Sequence, residues 1–437
     1  MIRRILVALL VLLPLKAVAQ DAATVQLTVD EAVARAIAHS QRLAEAEARQ
    51  EGAVAAIETR RAAERPTIGV SAGYSRTNHV DQFGVPQPDG MLRVIYPDIP
   101  ANYFTRATFQ WAIYTGGRTD ALIRAAEAEA RATAADVRTA RADLRLEVVR
   151  AYWALVTATE SVHVLEDALA RADAHLRDVR SRFENGLIPP NDVSSVDAQR
   201  ARQEMQLIEA RNIRRSTLED LRRLTGITAD ITASEVLDPN GLAPQKSTAQ
   251  ERQRPEQDAL RARVEAATAR VEAARAGRRP TLSFTGAADY ANPNPRIFPR
   301  ADIWRTSWEL GIVASWAVWD GGRVAAEAAE AAAARRALQA RTADLDAMIA
   351  TDVRQRQFDL DSARAALVAA DAGVRAATET RRVVDERFSV GVATSTDVLD
   401  AQVALLQAEL DRTRAFANIR LAEARLQRAL GGVTGAR

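Results

Sequence analysis

Near residue 111 the chain reads WAIYTGGR, and near residue 316 it reads WAVWDGGR. The two octets lie 205 positions apart, and the segments downstream of them repeat as well. No proline occurs between Pro100 and Pro189, and no glycine between Gly117 and Gly186. After the second octet no proline follows Pro299, and only Gly373 interrupts Gly322 to Gly391. Both gaps are filled with Ala, Arg, Glu, Leu and Val, the residues of an uninterrupted helix. A helix of that length is about 100 Å long at about 1.5 Å per residue, far beyond the globular range. It must lie in a coiled coil or a helical barrel.

Each long helix runs into a turn, FENGLIPPNDV at Phe183–Val193 and FSVGVATSTDV at Phe388–Val398. A shorter helix returns from each and closes on glycine, at Gly226 and Gly431. Upstream of each octet the period changes to two. Ile68, Val70, Ala72 and Tyr74 alternate with small or polar residues, as do Tyr103, Ala107, Phe109, Trp111 and Ile113. After Arg279-Pro280-Thr281, which matches Arg65-Pro66-Thr67, the pattern returns. Trp304, Trp308, Leu310, Ile312, Trp316 and Val318 fall on one face, and Arg305, Ser307, Glu309 and Ser315 on the other. These are strands with one apolar face. Soluble hairpins would share the alternation. The aromatic weighting and the length of about 10 residues favour strands whose apolar face meets lipid.

The duplication divides the chain. Residues 1–19 read as a signal peptide, with Arg3 and Arg4, an apolar run and Ala17-Val18-Ala19. The first repeat is 20–226: a helix opened by a Thr28/Glu31 capping box, a strand pair at 66–76 and 103–114, a long helix 117–183, a turn 184–191 and a helix 192–225. A connector covers 227–254. The second repeat is 255–431, with strands 280–290 and 304–319, a long helix 322–388, a turn 389–395 and a helix 396–430; a tail covers 432–437. In each octet the Gly-Gly pair, Gly116-Gly117 or Gly321-Gly322, lets the backbone turn from strand to helix.

Four strands cannot close a barrel, and open edges are not tolerated in lipid, so chains must pool their strands. The predicted class is mostly α with a small membrane β part. No cysteine is present, which removes disulfides and a lipid-bearing cysteine. With a formal net charge of +2 and basic residues scattered, nucleic acid has no patch to bind. His39, His79, His163 and His175 show no metal-ligand spacing, and no nucleophile motif or cofactor signature stands out, so the chain does not read as an enzyme.

The duplicated architecture, the Gly-Gly sites and both turns resemble the TolC family of outer-membrane channel-tunnels over essentially the whole mature chain. The strongest local similarity is FSVGVATSTDVLDAQ, Phe388–Gln402; NGLIPPNDV, Asn185–Val193, resembles the family's first turn. The resemblance implies a homotrimer in the outer membrane of a Gram-negative bacterium. Its twelve strands would form one transmembrane β-barrel, and its helices a long α-helical barrel reaching into the periplasm. It implies a passive exit duct for small toxic compounds or proteins, in a tripartite efflux or type I secretion system. The partners would be a periplasmic adaptor (membrane fusion protein) and an inner-membrane pump of RND or ABC type. The competing reading is a periplasmic coiled-coil adaptor or scaffold without a membrane barrel.

The resemblance also assigns residues. Asp397 and Asp400 would repeat about the axis as acidic rings at the periplasmic entrance and favour cations. Read locally, they are acidic residues at a helix N-terminus, favourable through the helix dipole. Asp192 and Phe388 fall at gate-contact positions, but Phe388 and Ala393 stand where the family's latch has a tyrosine and an arginine. Gly186, Leu187, Gly391 and Val392 match the adaptor-docking turns. Tyr74, Tyr103, Tyr290, Trp304 and Trp308 would form an aromatic girdle near the outer rim.

Overall fold

The computed structural model describes residues 25–234 and 253–432. The expected signal peptide, most of the connector and all but the first residue of the tail lie outside the described residues.

The first repeat begins with β1 (Val25–Leu27), α1 (Val29–His39) and α2 (Gln41–Arg61). Thr28 and Glu31 form a reciprocal capping box at the start of α1. Where the sequence suggests one leading helix, the structure has two. Ser40 breaks it, adopting an extended conformation and accepting a hydrogen bond from the Leu43 amide as the N-cap of α2. Next come β2 (Thr67–Arg76), a hairpin of β3 (Phe83–Pro86) and β4 (Leu92–Tyr96), β5 (Ala101–Tyr114), α3 (Arg118–Glu184) and α4 (Pro190–Thr225). After β6 (Ile231–Ala233), the second repeat is α5 (Pro255–Arg275), β7 (Thr281–Asn292), β8 (Arg305–Ser315), α6 (Arg323–Ser389) and α7 (Ser395–Ala429). The β3–β4 hairpin, and a parallel pairing of β1 with β6, have no signal in the alternation pattern.

The helices form a wall. α3 packs against α2 and α4 on one flank and α5 and α7 on the other, and α6 lies beyond α5 and α7. Each long helix is thus paired with two shorter ones stacked end to end. α3 buries Ala, Val and Leu along its whole length, as a central helix must. α6 buries only Val324, Ile349, Val353, Leu360, Leu367 and Phe388. The largest core lies halfway along α3. There Tyr152, Trp153, Leu221, Phe416, Ile419 and Leu27 pack together, and the Tyr152 hydroxyl donates to the carbonyl of Leu27 at 3.0 Å. Arg–carboxylate pairs such as Arg131–Glu265 and Arg200–Asp173 lace the exposed seams. Exposed pairs of this kind are worth little individually, so apolar burial carries the wall.

The four long strands make one antiparallel sheet in the order β2-β5-β7-β8, with β2 and β8 at open edges. β8 ends at Ser315, short of the expected 304–319 strand, so Trp316 and Val318 leave the ladder. The reason is Pro280. β8 pairs only with β7, whose ladder ends at Thr281↔Ser315 because Pro280 has no N–H to donate. β5 meets the same obstacle in Pro66 but also pairs with β7, which carries it on to Tyr114.

Candidate functional site

The sheet's two faces differ in chemistry. The registers put Ile68, Val70, Ala72 and Tyr74 on the same face as Phe109, Ala107 and Tyr103. Phe284, Ala288 and Tyr290 of β7, and Ile312, Leu310 and Trp308 of β8, share that face. It is apolar and largely exposed, Ile68 76% and Trp308 73%, while Ala107, Phe109 and Phe284 are half-buried. A contiguous apolar patch of this extent marks a surface that meets lipid or another protein rather than water. The opposite face carries Ser71, Arg106, Thr108, Gln110, Ser283, Thr285, Asp289, Ser307 and Glu309. There Arg106 donates to both oxygens of Asp289, at 2.6 and 3.3 Å, and Arg296 reaches across to Glu309.

Aromatic side chains bound the apolar face at both ends. Tyr74 and Tyr103 lie 4.8 Å apart between ring centroids, Tyr103 and Trp304 6.0 Å, and Trp304 and Tyr290 4.8 Å in a stack. Four of the five expected girdle residues are therefore one continuous run across the strands; Trp308 sits further down β8, outside it. At the helical end Trp111, Tyr114, Trp316 and Trp319 are exposed, and these are the aromatic positions of the octets themselves. Eight residues separate Tyr103 from Trp111, which is roughly 26 Å along a strand and about 20 Å upright at a 40° tilt. The alternation puts Tyr74, Tyr103 and Tyr290 on this face; the octet aromatics at its other end are located by where the strands stop.

The hinges below are alike in backbone. Gly116 and Gly117 have φ of 68° and 83°, and Gly321 and Gly322 have 68° and 89°, the left-handed region that disfavours a side chain. The side chain before each pair caps the helix: Thr115 accepts from the Thr119 amide, and Asp320 from the amides of Gly322 and Val324. The octet tryptophans brace both hinges, Trp111 Nε1 donating to the Glu64 carbonyl and Trp316 Nε1 to the Arg278 carbonyl.

At the far end the helices turn at Gly186 and Gly391, with φ of 71° and 79°. Leu187 and Val392 project beside them, 72% and 64% exposed. Asp397 and Asp400 are both exposed on the first turns of α7. The Asp397 carboxylate is also engaged locally, accepting from the amide and hydroxyl of Thr394 at 2.8 Å each as a capping box. Those bonds hold its carboxyl below the usual carboxylate range, the backbone bond first. Asp192 is half-buried and accepts from the side-chain amide of Asn191. Phe388, by contrast, is buried. Its ring packs edge-on against His175 at 5.2 Å and under the Arg182 guanidinium at 4.4 Å, and its carbonyl accepts from Arg182. Within one chain Asp192 and Phe388 therefore have separate partners. His175 and Arg182 carry no motif; only the packing of α3 onto the second turn reveals them. Among the described residues no cluster of His, Asp and Glu is arranged to hold a metal ion, and no helix is long and apolar enough to cross a membrane.

Comparison with known proteins agrees with this geometry. The model of a family described as outer membrane efflux protein matches residues 32–227 and 248–432. Outer membrane protein TolC of Vibrio cholerae is 24% identical over 396 residues, covering 88% of this chain and 86% of the relative. The crystal structure of VceC from Vibrio cholerae aligns with a TM-score of 0.77 at 20% identity, covering 92% of this chain and 96% of that one. The open-state MtrE outer membrane channel of Neisseria gonorrhoeae aligns with a TM-score of 0.76 at 20% identity, covering 93% and 89%. At these identities the structural likenesses establish the fold.

Proposed function

Because the chain belongs to the outer membrane efflux protein family, we propose that it works as a trimeric exit duct, taking cargo from an inner-membrane pump through a periplasmic adaptor and out across the outer membrane. Membership makes it an outer-membrane efflux channel protein rather than an enzyme, with long helices extending into the periplasm. The observation that carries the finer reading is the two-faced, open-edged sheet. Its apolar face, belted by aromatics, suits lipid, and its charged face suits a water-filled lumen. β2 and β8 run in opposite directions, so copies arranged around an axis meet edge to edge with every neighbouring pair antiparallel. Three copies give twelve strands, an even number within the range of such barrels. The helical wall has matching free flanks: Met205, Ile208 and Ile213 are exposed on α4, and Met348, Phe358 and Val368 on α6.

The duct is passive, energy being supplied by the pump, of RND or ABC type. Gly186, Leu187, Gly391 and Val392 form the adaptor-docking tips. Asp397 and Asp400 ring the entrance. The absence of cysteine gives a clean test. A single Leu187→Cys is introduced, cross-linked in living cells, and the captured protein identified by mass spectrometry. Capture of a drug-pump adaptor supports small-molecule efflux, and capture of a type I secretion adaptor supports protein export. A correctly localised protein that captures no adaptor under either load overturns the docking assignment.

A further inference from the structure

The two repeats are built to one backbone plan. Thr67 faces Gln110 in the first, and Thr281 faces Ser315 in the second; in both, the threonine hydroxyl donates to the facing carbonyl at 3.3 Å. Trp111 to Glu64 and Trp316 to Arg278 is the same brace twice. First strands and their leading segments thus correspond at an offset of 214, and second strands with their octets at 205.

Within the sheet, the first repeat joins the second through one strand pairing and the hinge beside it. β5 pairs with β7, with Gln110 opposite Thr285, and Arg279 Nη1 donates to the Gly116 carbonyl at 3.0 Å. This packing is tight, since a Cβ on Gly116 would lie 2.9 Å from the Arg279 Cβ and 3.0 Å from the Ala276 carbonyl oxygen. The corresponding surfaces of the chain are vacant. A Cβ on Gly321 would meet nothing within 4 Å. Arg65, the counterpart of Arg279, is 69% exposed and pairs with Glu58 at 3.5 Å. Both partners of the inner contact, Arg-Pro-Thr and Gly-Gly-Arg, are present unchanged at the open edges.

We propose that a second copy of this chain completes that contact: β8 of one chain pairs with β2 of the next in the register Ser315 opposite Ser71, and Arg65 of the next chain donates to the Gly321 carbonyl. This rests on the reading of the chain as a ring-forming channel and adds the register and the residues that set it. The register keeps chemistry on its proper faces. Ile312 meets Tyr74, Ala314 meets Ala72 and Trp316 meets Val70 on the apolar side, while Ser315 meets Ser71 on the polar side. It also restores the strand that Pro280 cuts short, because residues beyond Ser315 gain a neighbour. The helical ion pairs do not all carry over: Asp136–Arg263 would become Arg341 facing Arg49. The proposal is therefore confined to the sheet and the hinge.

The test is disulfide formation in the full-length protein in outer membranes, with copper phenanthroline as oxidant. Within one chain, Ser71 lies in line across the sheet with Ser307, three strands away, and Ser315 is eight residues further along β8, so residues 71 and 315 are roughly 30 Å apart, too far for a disulfide. Any bond is therefore between chains. Ser71→Cys with Ser315→Cys is expected to give covalent oligomers at least about tenfold faster than Ser71→Cys with Val313→Cys, whose diagonal spacing of about 7–8 Å is poor for bonding. Faster bonding of the 71/313 pair overturns the register and leaves the channel reading standing. No cross-link at either register, with a chain that is monomeric in detergent, overturns both.

Discussion

The imidazole Nε2 of His175, on α3, lies 3.1 Å from the hydroxyl of Ser395, the first residue of α7. Both side chains are buried, and the His175 ring rests on Phe388 of α6. One histidine thus touches both helices of the second hairpin from the first, close to the tips.

Burial pushes the His175 imidazole below its ordinary value. Asp178 on its own helix and Asp385 on α6 pull the other way, and Arg182 adds to the depression. The bond to Ser395, at the start of α7, also favours the cation without overcoming burial, and α4 brings apolar Val193 and Val196 to this cluster. Linkage fixes the sign. The packed tip binds the proton less well than the parted tip, so packing is undiminished above an ordinary imidazole value of about 6.5 and weakens as pH falls through and below it. Amide exchange of residues 388–400, corrected for intrinsic rate, is expected to rise between pH 7.5 and 5.5. His175→Gln and His175→Phe should abolish that rise. An equal rise in both variants would refute the role of His175.

Gly116→Ala is expected to cost about 1–2 kcal/mol from the left-handed backbone alone. The close approach of Arg279 adds to that. Gly52→Ala, in α2 with open space around it, should stabilise slightly. Thermal unfolding followed by circular dichroism compares the two.

Tyr152→Phe removes a hydrogen bond to the buried carbonyl of Leu27, the strand residue that also packs in the main core. A loss of about 0.5–1.5 kcal/mol is expected, because the carbonyl loses this donor but keeps the Ser234 amide at 3.1 Å. Denaturant unfolding measures it. The effect should be larger than that of Thr351→Ala, an exposed helix residue.

Asp397 and Asp400 should separate by role. Asp400→Asn is expected to reduce cation preference in planar bilayers without altering stability. Asp397→Asn should lower both, because its carboxylate accepts from the Thr394 amide and hydroxyl. The depressed carboxyl of Asp397 implies that its charge persists to lower pH than that of an ordinary aspartate. Reversal potentials in a salt gradient, measured down to pH 4, give the answer. Equal selectivity in wild type and both variants would remove the acidic rings from the entrance.

Local patterns in the chain were enough for its duplication, its two helices of about 100 Å, its period-two strands and the glycine hinges. These depend on neighbours within a few positions: helix propensity without Gly or Pro, alternation along a strand, positive φ at Gly116 and Gly321. The tertiary structure decided what depends on partners far away in sequence. The octet tryptophan lies within a strand in the first repeat and beyond one in the second, because β5 has two neighbours and β8 has one that ends at Pro280. Phe388, which the resemblance places at a gate-contact position, is buried because His175 and Arg182 of the other repeat offer it a surface. Which edge of a sheet is open, and which ring is covered, are properties of the assembled neighbours, and no local window of sequence contains them.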